Sequence, residues 1–168
     1  MTAIVTAKPP ARTAADVILR DAAGTKVGTV SVATTSWSST DIRARVRGMR
    51  PGFHGFHIHA VGACEAPDFM SAKGHLKAEG QSHGAHTGDM PPLLVKGNGT
   101  ATLRVTTDRF TLADLRDADG SAVMIHAGPD NFANIPPRYA PGGPDQETLD
   151  TGDSGARVAC GVIRAGDR

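Results

Sequence analysis

The chain has 168 residues, with 18 Lys+Arg against 17 Asp+Glu and a formal net charge of +1. That length suits one domain with one core, and 39% hydrophobic residues exclude disorder by composition. No apolar run approaches the ~20 residues that span a bilayer. The balanced charge, with no basic stripe standing out, gives no electrostatic footprint for a nucleic-acid partner.

Twenty glycines and eleven prolines beside only 4% aromatics favour short strands, turns and long loops over a helical bundle. The domain is expected over residues 14–163, between a flexible tail at 1–13 and a C-terminal tail at 164–168. Residues 1–13 hold no apolar stretch of the signal-peptide kind, so the chain is read either as cytosolic or as starting after a removed export signal. Within 16–21, Val17 and Leu19 take alternate positions of a strand, and Ala22-Ala23-Gly24 turns the chain. Val27, Val30 and Val32 follow, with a bulge expected at Gly28. Residues 41–47 set Ile42, Ala44 and Val46 against Asp41, Arg43, Arg45 and Arg47, the pattern of a half-buried antiparallel strand with a wet outer face. Further strands are expected at 54–61, 92–96, 101–107, 121–126 and 157–163. Lys96-Gly97-Asn98-Gly99 is a hairpin signal. Residues 111–117 alone read as a helical turn or two. About eight strands with aperiodic loops at 62–91 and 128–155 predict an all-β, antiparallel Greek-key barrel or sandwich whose loops carry function.

Six of the seven histidines lie between Gly52 and Asp89, a density that reads as a metal site. In His54-Gly55-Phe56-His57-Ile58-His59, side chains two apart share a face of a strand. His57 and His59 therefore point one way while Phe56 and Ile58 enter the core. His54 has the opposite parity and reads as a structural histidine bonded to backbone beneath the site. His75, His83, His86 and Asp89 bring three imidazoles and a carboxylate into one loop, a donor set that suits tetrahedral zinc. His126 ends a strand whose Val123 and Ile125 face the core, so it projects with Met124 to the other side. Cys64 and Cys160 fit no C-x-x-C motif. The residues alone leave them either as two buried thiols or as a disulfide.

Two segments, Gly55-Phe56-His57-Ile58-His59-Ala60-Val61-Gly62 and Gly152-Asp153-Ser154-Gly155-Ala156-Arg157-Val158-Ala159-Cys160-Gly161-Val162-Ile163, resemble the two signatures of the copper/zinc superoxide dismutases. His126-Ala127-Gly128-Pro129-Asp130-Asn131-Phe132-Ala133-Asn134-Ile135-Pro136 is similar to the bacterial branch in particular. The resemblance covers about residues 14–163. It implies conversion of superoxide to dioxygen and hydrogen peroxide by alternate reduction and oxidation of copper. Copper would sit on His57, His59, His75 and His126, and zinc on His75, His83, His86 and Asp89. His75 would be shared as an imidazolate that takes up a proton on reduction. The resemblance further implies Asp130 as an outer carboxylate, Arg157 as an anion dock, Thr151 as a channel residue and a Cys64–Cys160 disulfide. The implied partners are superoxide, a copper donor protein and a second copy in a homodimer. The implied location is the periplasm, the cell envelope or the outside of a bacterial cell.

Two features depart from the family pattern. Only Gly84-Ala85 separate His83 from His86, so zinc depends on a tight turn there. Asp150 stands where many members carry a guiding lysine, among Asp145, Glu147 and Asp153; Lys73 and Lys77, flanking His75, are expected to take over the steering. The competing reading is a non-catalytic copper-binding or buffering module of the same fold, against which Arg157 argues. A cupin-type oxygenase built on His57, His59 and Glu65 leaves the zinc-like cluster unexplained, and an H-x-H-x-D-H hydrolase fails at Val61.

Overall fold

The structure, a computed structural model, describes residues 13–36 and 39–164. Of the expected tails, at 1–13 and 164–168, residues 1–12 and 165–168 lie outside the described residues. Among those described, the strands are β1 Thr13–Arg20, β2 Lys26–Ser36, β3 Ser39–Val46, β4 Gly52–His54, β5 Phe56–His59, β6 Leu93–Val95, β7 Ala101–Thr107, β8 Ser121–His126 and β9 Arg157–Ile163. Thr13, read as tail, is the first residue of β1. Seven strands form one antiparallel sheet in the order β5-β8-β9-β1-β2-β3-β7, and β4 pairs with β6 in a second. This is the expected all-β Greek-key class.

Alternation explains the core. Val17, Leu19, Val30, Ile42, Phe56, Ile58, Val123 and Ile125 fill the interior with almost no exposure, each side chain contributing on the order of 1.5–3 kcal/mol by leaving water. The bulge falls beside Gly28: Leu19 pairs with Gly28 and Arg20 with Lys26, leaving Val27 over. A Cβ on Gly28 would press on the Arg45 carbonyl at 2.5 Å.

Two differences from the expected strands bear on the site. The strand expected at 54–61 breaks at Gly55, and its halves join different sheets. There the Gly55 N–H donates to the Gly128 carbonyl (2.8 Å), its own carbonyl accepts from His126 N–H (2.9 Å), and a Cβ would meet Ser154 Cβ at 2.6 Å. The turn at Lys96 closes as expected, with Gly99 N–H donating to the Lys96 carbonyl (2.9 Å). Its flanking strands nevertheless separate, β6 pairing with β4 and β7 with β3, so the turn is a corner between sheets.

β5 is an edge of the large sheet, and the loop after it covers that edge. Leu76 N–H donates to the Ile58 carbonyl and Ile58 N–H to that of Gly88, both at 2.8 Å. Such pairing blunts an edge. It also sets Asp89 opposite His57 and His75 opposite His59. The start of the loop packs Phe69 and Ala72 on Ala122, Met124 and Cys160 in a second small core, where Cys64 and Cys160 form a disulfide with Cα atoms 5.7 Å apart. The two cysteines are 96 residues apart in sequence, and closing so long a loop stabilises by roughly 4–5 kcal/mol in the chain-entropy account.

The helical turn expected at 111–117 is a 3-10 turn, Asp114–Arg116. One helix was not expected: α1, Gln146–Thr151, in the second long loop. Asp145 caps it by accepting from Thr148 N–H, and Gly152 closes it in the left-handed conformation at φ 62°. Asp before the helix and Gly after it are the usual stop and start chemistry, but six residues are too few for apolar periodicity to show.

Candidate metal centre

β5, β8 and the loop across the sheet edge bring six of the seven histidines together, all buried. His57, His59, His75 and His126 each offer one ring nitrogen, all within 4.8 Å of one another. The Nδ1 of His59 donates to the Lys73 carbonyl (2.8 Å) and that of His126 to the Gly155 carbonyl (2.9 Å). A neutral ring that donates at Nδ1 has only a lone pair at Nε2. The two Nε2 atoms nevertheless face each other at 3.4 Å, an arrangement that a cation between them would make favourable. His57 agrees: its Nε2 donates to Asp130 Oδ2 (2.7 Å), while its buried Nδ1 has no hydrogen-bond partner.

A second cluster adjoins the first and shares His75. The Nδ1 of His75, His83 and His86 lie 3.1, 3.3 and 3.5 Å from Asp89 Oδ1, and those of His75 and His86 are 3.4 Å apart. His57, His75, His83 and Asp89 also bring one ligand atom each within 4.8 Å of one another. His57, however, turns its Nε2 to Asp130, whereas His86 points its Nδ1 at the same carboxylate oxygen as the other two. We therefore assign His86, not His57, to this cluster. Three imidazoles and a carboxylate on one point, with both carboxylate oxygens engaged, fit zinc; four imidazoles with oriented outer partners fit copper.

The tight turn between His83 and His86 is built by the ligand itself. Asp89 Oδ2 accepts from Gly84 N–H (2.7 Å) and His86 N–H (3.0 Å), so one oxygen closes the turn while the other faces the rings. Gly84 adopts φ +86°, where a Cβ would meet the Phe132 carbonyl at 2.6 Å. Asp130 ties the clusters together, its Oδ1 accepting from His83 Nε2 (2.7 Å) and its Oδ2 from His57. A Cβ on Gly152 would overlap both His83 Nε2 and Asp130 Oδ1, so the helix cap and the outer carboxylate depend on one glycine.

Burial pushes His57 down to about 4, His59 to about 2 and His126 to about 3, and it lowers His86 too. These rings are neutral and ready to ligate at neutral pH. For His83, burial is outweighed by its bonds to Asp130 and Asp89, and its value rises to about 9. Burial would raise the carboxyls of Asp89 and Asp130, but the adjoining histidines hold both well below the ordinary range.

Beside the first cluster a cleft of about 420 Å³ is lined by His59, His75, His126, Lys77, Thr151 and Arg157, among others. Arg157 donates to the carbonyls of Phe69 (2.7 Å) and Lys73 (2.6 Å). Thr151 Oγ1 donates to the Glu147 carbonyl (2.8 Å). Lys77, expected to steer, pairs with Asp150 at 2.8 Å, which partly offsets its charge. Asp145 and Asp153 are engaged with Thr148. His54 lies outside both clusters, between the carbonyls of His126 (2.7 Å) and Arg50 (2.8 Å), as its parity implies.

Two positioning groups had no signature in the sequence. The Lys73 carbonyl orients both His59 and Arg157, and a backbone oxygen is invisible to residue patterns. Arg109, just past β7, donates to the carbonyls of His86 (2.9 Å) and Asp89 (3.3 Å), holding the short loop from outside. Arg109→Met should weaken zinc binding about tenfold in a chelator competition and leave copper uptake unchanged.

An antiparallel β fold of two sheets, with two buried donor clusters at the covered edge strand β5 that share one imidazole, defines a protein for two adjacent metal ions. The chain belongs to the copper/zinc superoxide dismutase family, whose model matches residues 26–163. The enzyme named superoxide dismutase (Cu-Zn) from Mycobacterium tuberculosis is 48% identical over 153 residues, covering 82% of this chain and 60% of that protein. The one from Mycolicibacterium paratuberculosis is 46% identical over 160 residues, 85% of this chain and 70% of its own length. The chain thus spans about three fifths of the length of the M. tuberculosis relative. Among solved structures, Cu/Zn superoxide dismutase from Brucella abortus superposes with a TM-score of 0.69 at 27% identity, over 90% of this chain and 99% of that one. An SOD-like protein from Bacillus subtilis superposes at 0.72 with 29% identity, over 88% and 97%.

Proposed function

We propose that the protein is a copper- and zinc-dependent superoxide dismutase. The observation that carries this reading is Arg157, a fixed guanidinium in the same cleft as His59, His75 and His126. A copper store needs no anion dock beside its ligands. Copper would be held by His57 Nδ1, the Nε2 atoms of His59 and His126, and His75; zinc by His75 Nδ1, His83, His86 and Asp89. Copper supplies one-electron chemistry, taking an electron from one superoxide to give dioxygen and returning it to a second to give, with two protons, hydrogen peroxide.

The chain's own residues do the rest. Arg157 stays charged at any relevant pH and docks the anion, while Thr151 narrows the cleft. His75 turns Nδ1 to Asp89, so its Nε2 would serve either the copper or, with that bond open, one of the two protons that peroxide takes up, the other coming from water. Asp130 fixes the tautomers of His57 and His83 from behind.

Arg157→Gln should lower the second-order rate of superoxide decay about tenfold and flatten its dependence on salt, with copper content unchanged. An unchanged rate and salt response in stopped flow would remove the anion-dock role. Support for an oxidising compartment, the bacterial periplasm, envelope or exterior, is the Cys64–Cys160 disulfide. Support for a homodimer is an exposed cross-strand pair, Phe53 opposite Leu94 on β4 and β6, 54% and 55% exposed; sedimentation of Phe53→Ser against the parent checks it.

A further inference from the structure

The strand register assembles a cationic strip that composition hides. On β3, Arg43 and Arg45 point outward, with Arg47 exposed just beyond the strand. Arg43 pairs directly with Arg104 of β7, a juxtaposition of like charges that costs stability in a sheet. Lys26, Arg45 and Arg47 rim a hollow of about 240 Å³ around Gly28 and Thr29, with no acidic residue in its lining. Among the described residues of β2, β3 and β7, the one outward carboxylate is Asp41, 3.2 Å from Arg104 and 3.6 Å from Arg43, which also accepts from Thr106 Oγ1 at 2.7 Å; the next on the sheet is Asp16 of β1, opposite Ser31. Among the described residues, Lys26, Arg45 and Arg47 have no ion-pair partner. Five cations and one acid therefore share a face of a chain whose net charge is only +1. The rest of the chain is net negative.

We propose that the outer face of β2, β3 and β7 binds a linear anionic polysaccharide carrying repeated sulfate, phosphate or carboxylate groups. Alternate residues along a strand are about 6.6–6.8 Å apart and neighbouring strands about 4.8 Å. Arg43, Arg45 and Arg47 thus form a straight row of donors for a polymer lying along β3. Arg104 and Lys26 flank the row, and Asp41 ends it. Guanidinium forks suit oxyanions of any of these three kinds. None of the exposed large apolar side chains, Ile18, Phe53, Met70, Leu94, Phe132 and Tyr139, lies on these three strands. Among the described residues, the outer side of these three strands therefore carries no large apolar group to insert into a bilayer and no ring on which a base could stack; Ile18 lies on neighbouring β1, opposite Thr29. The strip is separate from the metal clusters, so binding there would tether the protein without touching its site.

The test is titration of the metal-loaded protein with dextran sulfate, against uncharged dextran and against vesicles of phosphatidylcholine and phosphatidylglycerol in equal parts. Five cations, one of them offset by Asp41, leave about four contacts, so log affinity should fall with log salt at a slope of roughly −3. The double variant Arg45→Gln/Arg47→Gln should bind at least tenfold more weakly, with a slope shallower by about 1.5 and an unchanged melting temperature. Arg138→Gln, which removes an exposed cation stacked on Tyr139, should leave binding unchanged. Equal weakening by Arg138→Gln, no binding to dextran sulfate, or binding to the vesicles alone would overturn the proposal.

Discussion

Asp130→Asn is expected to weaken zinc binding by about 10- to 100-fold, the range for loss of an outer partner to a ligating histidine. His57 and His83 each present Nδ1 to a metal only while Nε2 keeps its proton, and Asp130 accepts both of those protons at 2.7 Å. An asparagine has one accepting oxygen and places an NH₂ group where the other stood. Facing that NH₂, one ring must either lose its bond or turn into the wrong tautomer. Competition with a chelator at fixed pH, metal by metal, reads the effect. Parental affinity for both metals in Asp130→Asn would remove the bridging role.

The second large effect is on the metal-free protein. In the unfolded chain its histidines titrate near 6.5. Folded, His57, His59 and His126 stand at about 4, 2 and 3 because burial disfavours their charged forms. Below pH 6.5 the unfolded state therefore binds more protons, and stability falls as pH drops, by about 1.4 kcal/mol per pH unit for each unmatched proton. His83 works the other way. Its folded value of about 9 gives a contribution complete below pH 6.5 and lost as pH rises through 9. Asp89 and Asp130 contribute above the ordinary carboxylate range and lose that contribution in acid. The melting temperature of the metal-free protein should peak near pH 6.5–7 and fall on both sides, more steeply in acid. Loading both metals should flatten the profile, since ligated rings no longer titrate. A flat profile between pH 5 and 9 without metal would contradict these environments.

Much of the site was legible because strands convert spacing into direction. The parity of His57, His59 and His126 places them on one side of β5 and β8, and the parity of His54 removes it from the cluster. Strands β7, β8 and β9 fall on their expected residues. What escaped depends on partners remote in sequence. Gly55 breaks a strand because Gly128 and Ser154 crowd it, and nothing in residues 54–61 records that. The short loop at Gly84-Ala85 looked restrictive, but the Asp89 carboxylate supplies its missing hydrogen bonds. Lys77 was expected to steer, and nothing in the sequence showed that the fold sets Asp150 beside it. The arginines of β3 read as an ordinary wet face, and only the pairing of Arg43 with Arg104 shows how strongly charge is concentrated there.

The most direct test is superoxide decay followed by pulse radiolysis on protein loaded with copper, once with zinc and once without. Catalysis near the steered-encounter range of ~10⁸–10⁹ M⁻¹s⁻¹, falling with salt, is the predicted result with both metals. Stoichiometric copper and zinc with no catalytic decay would contradict the account and leave a metal-binding module of the same fold.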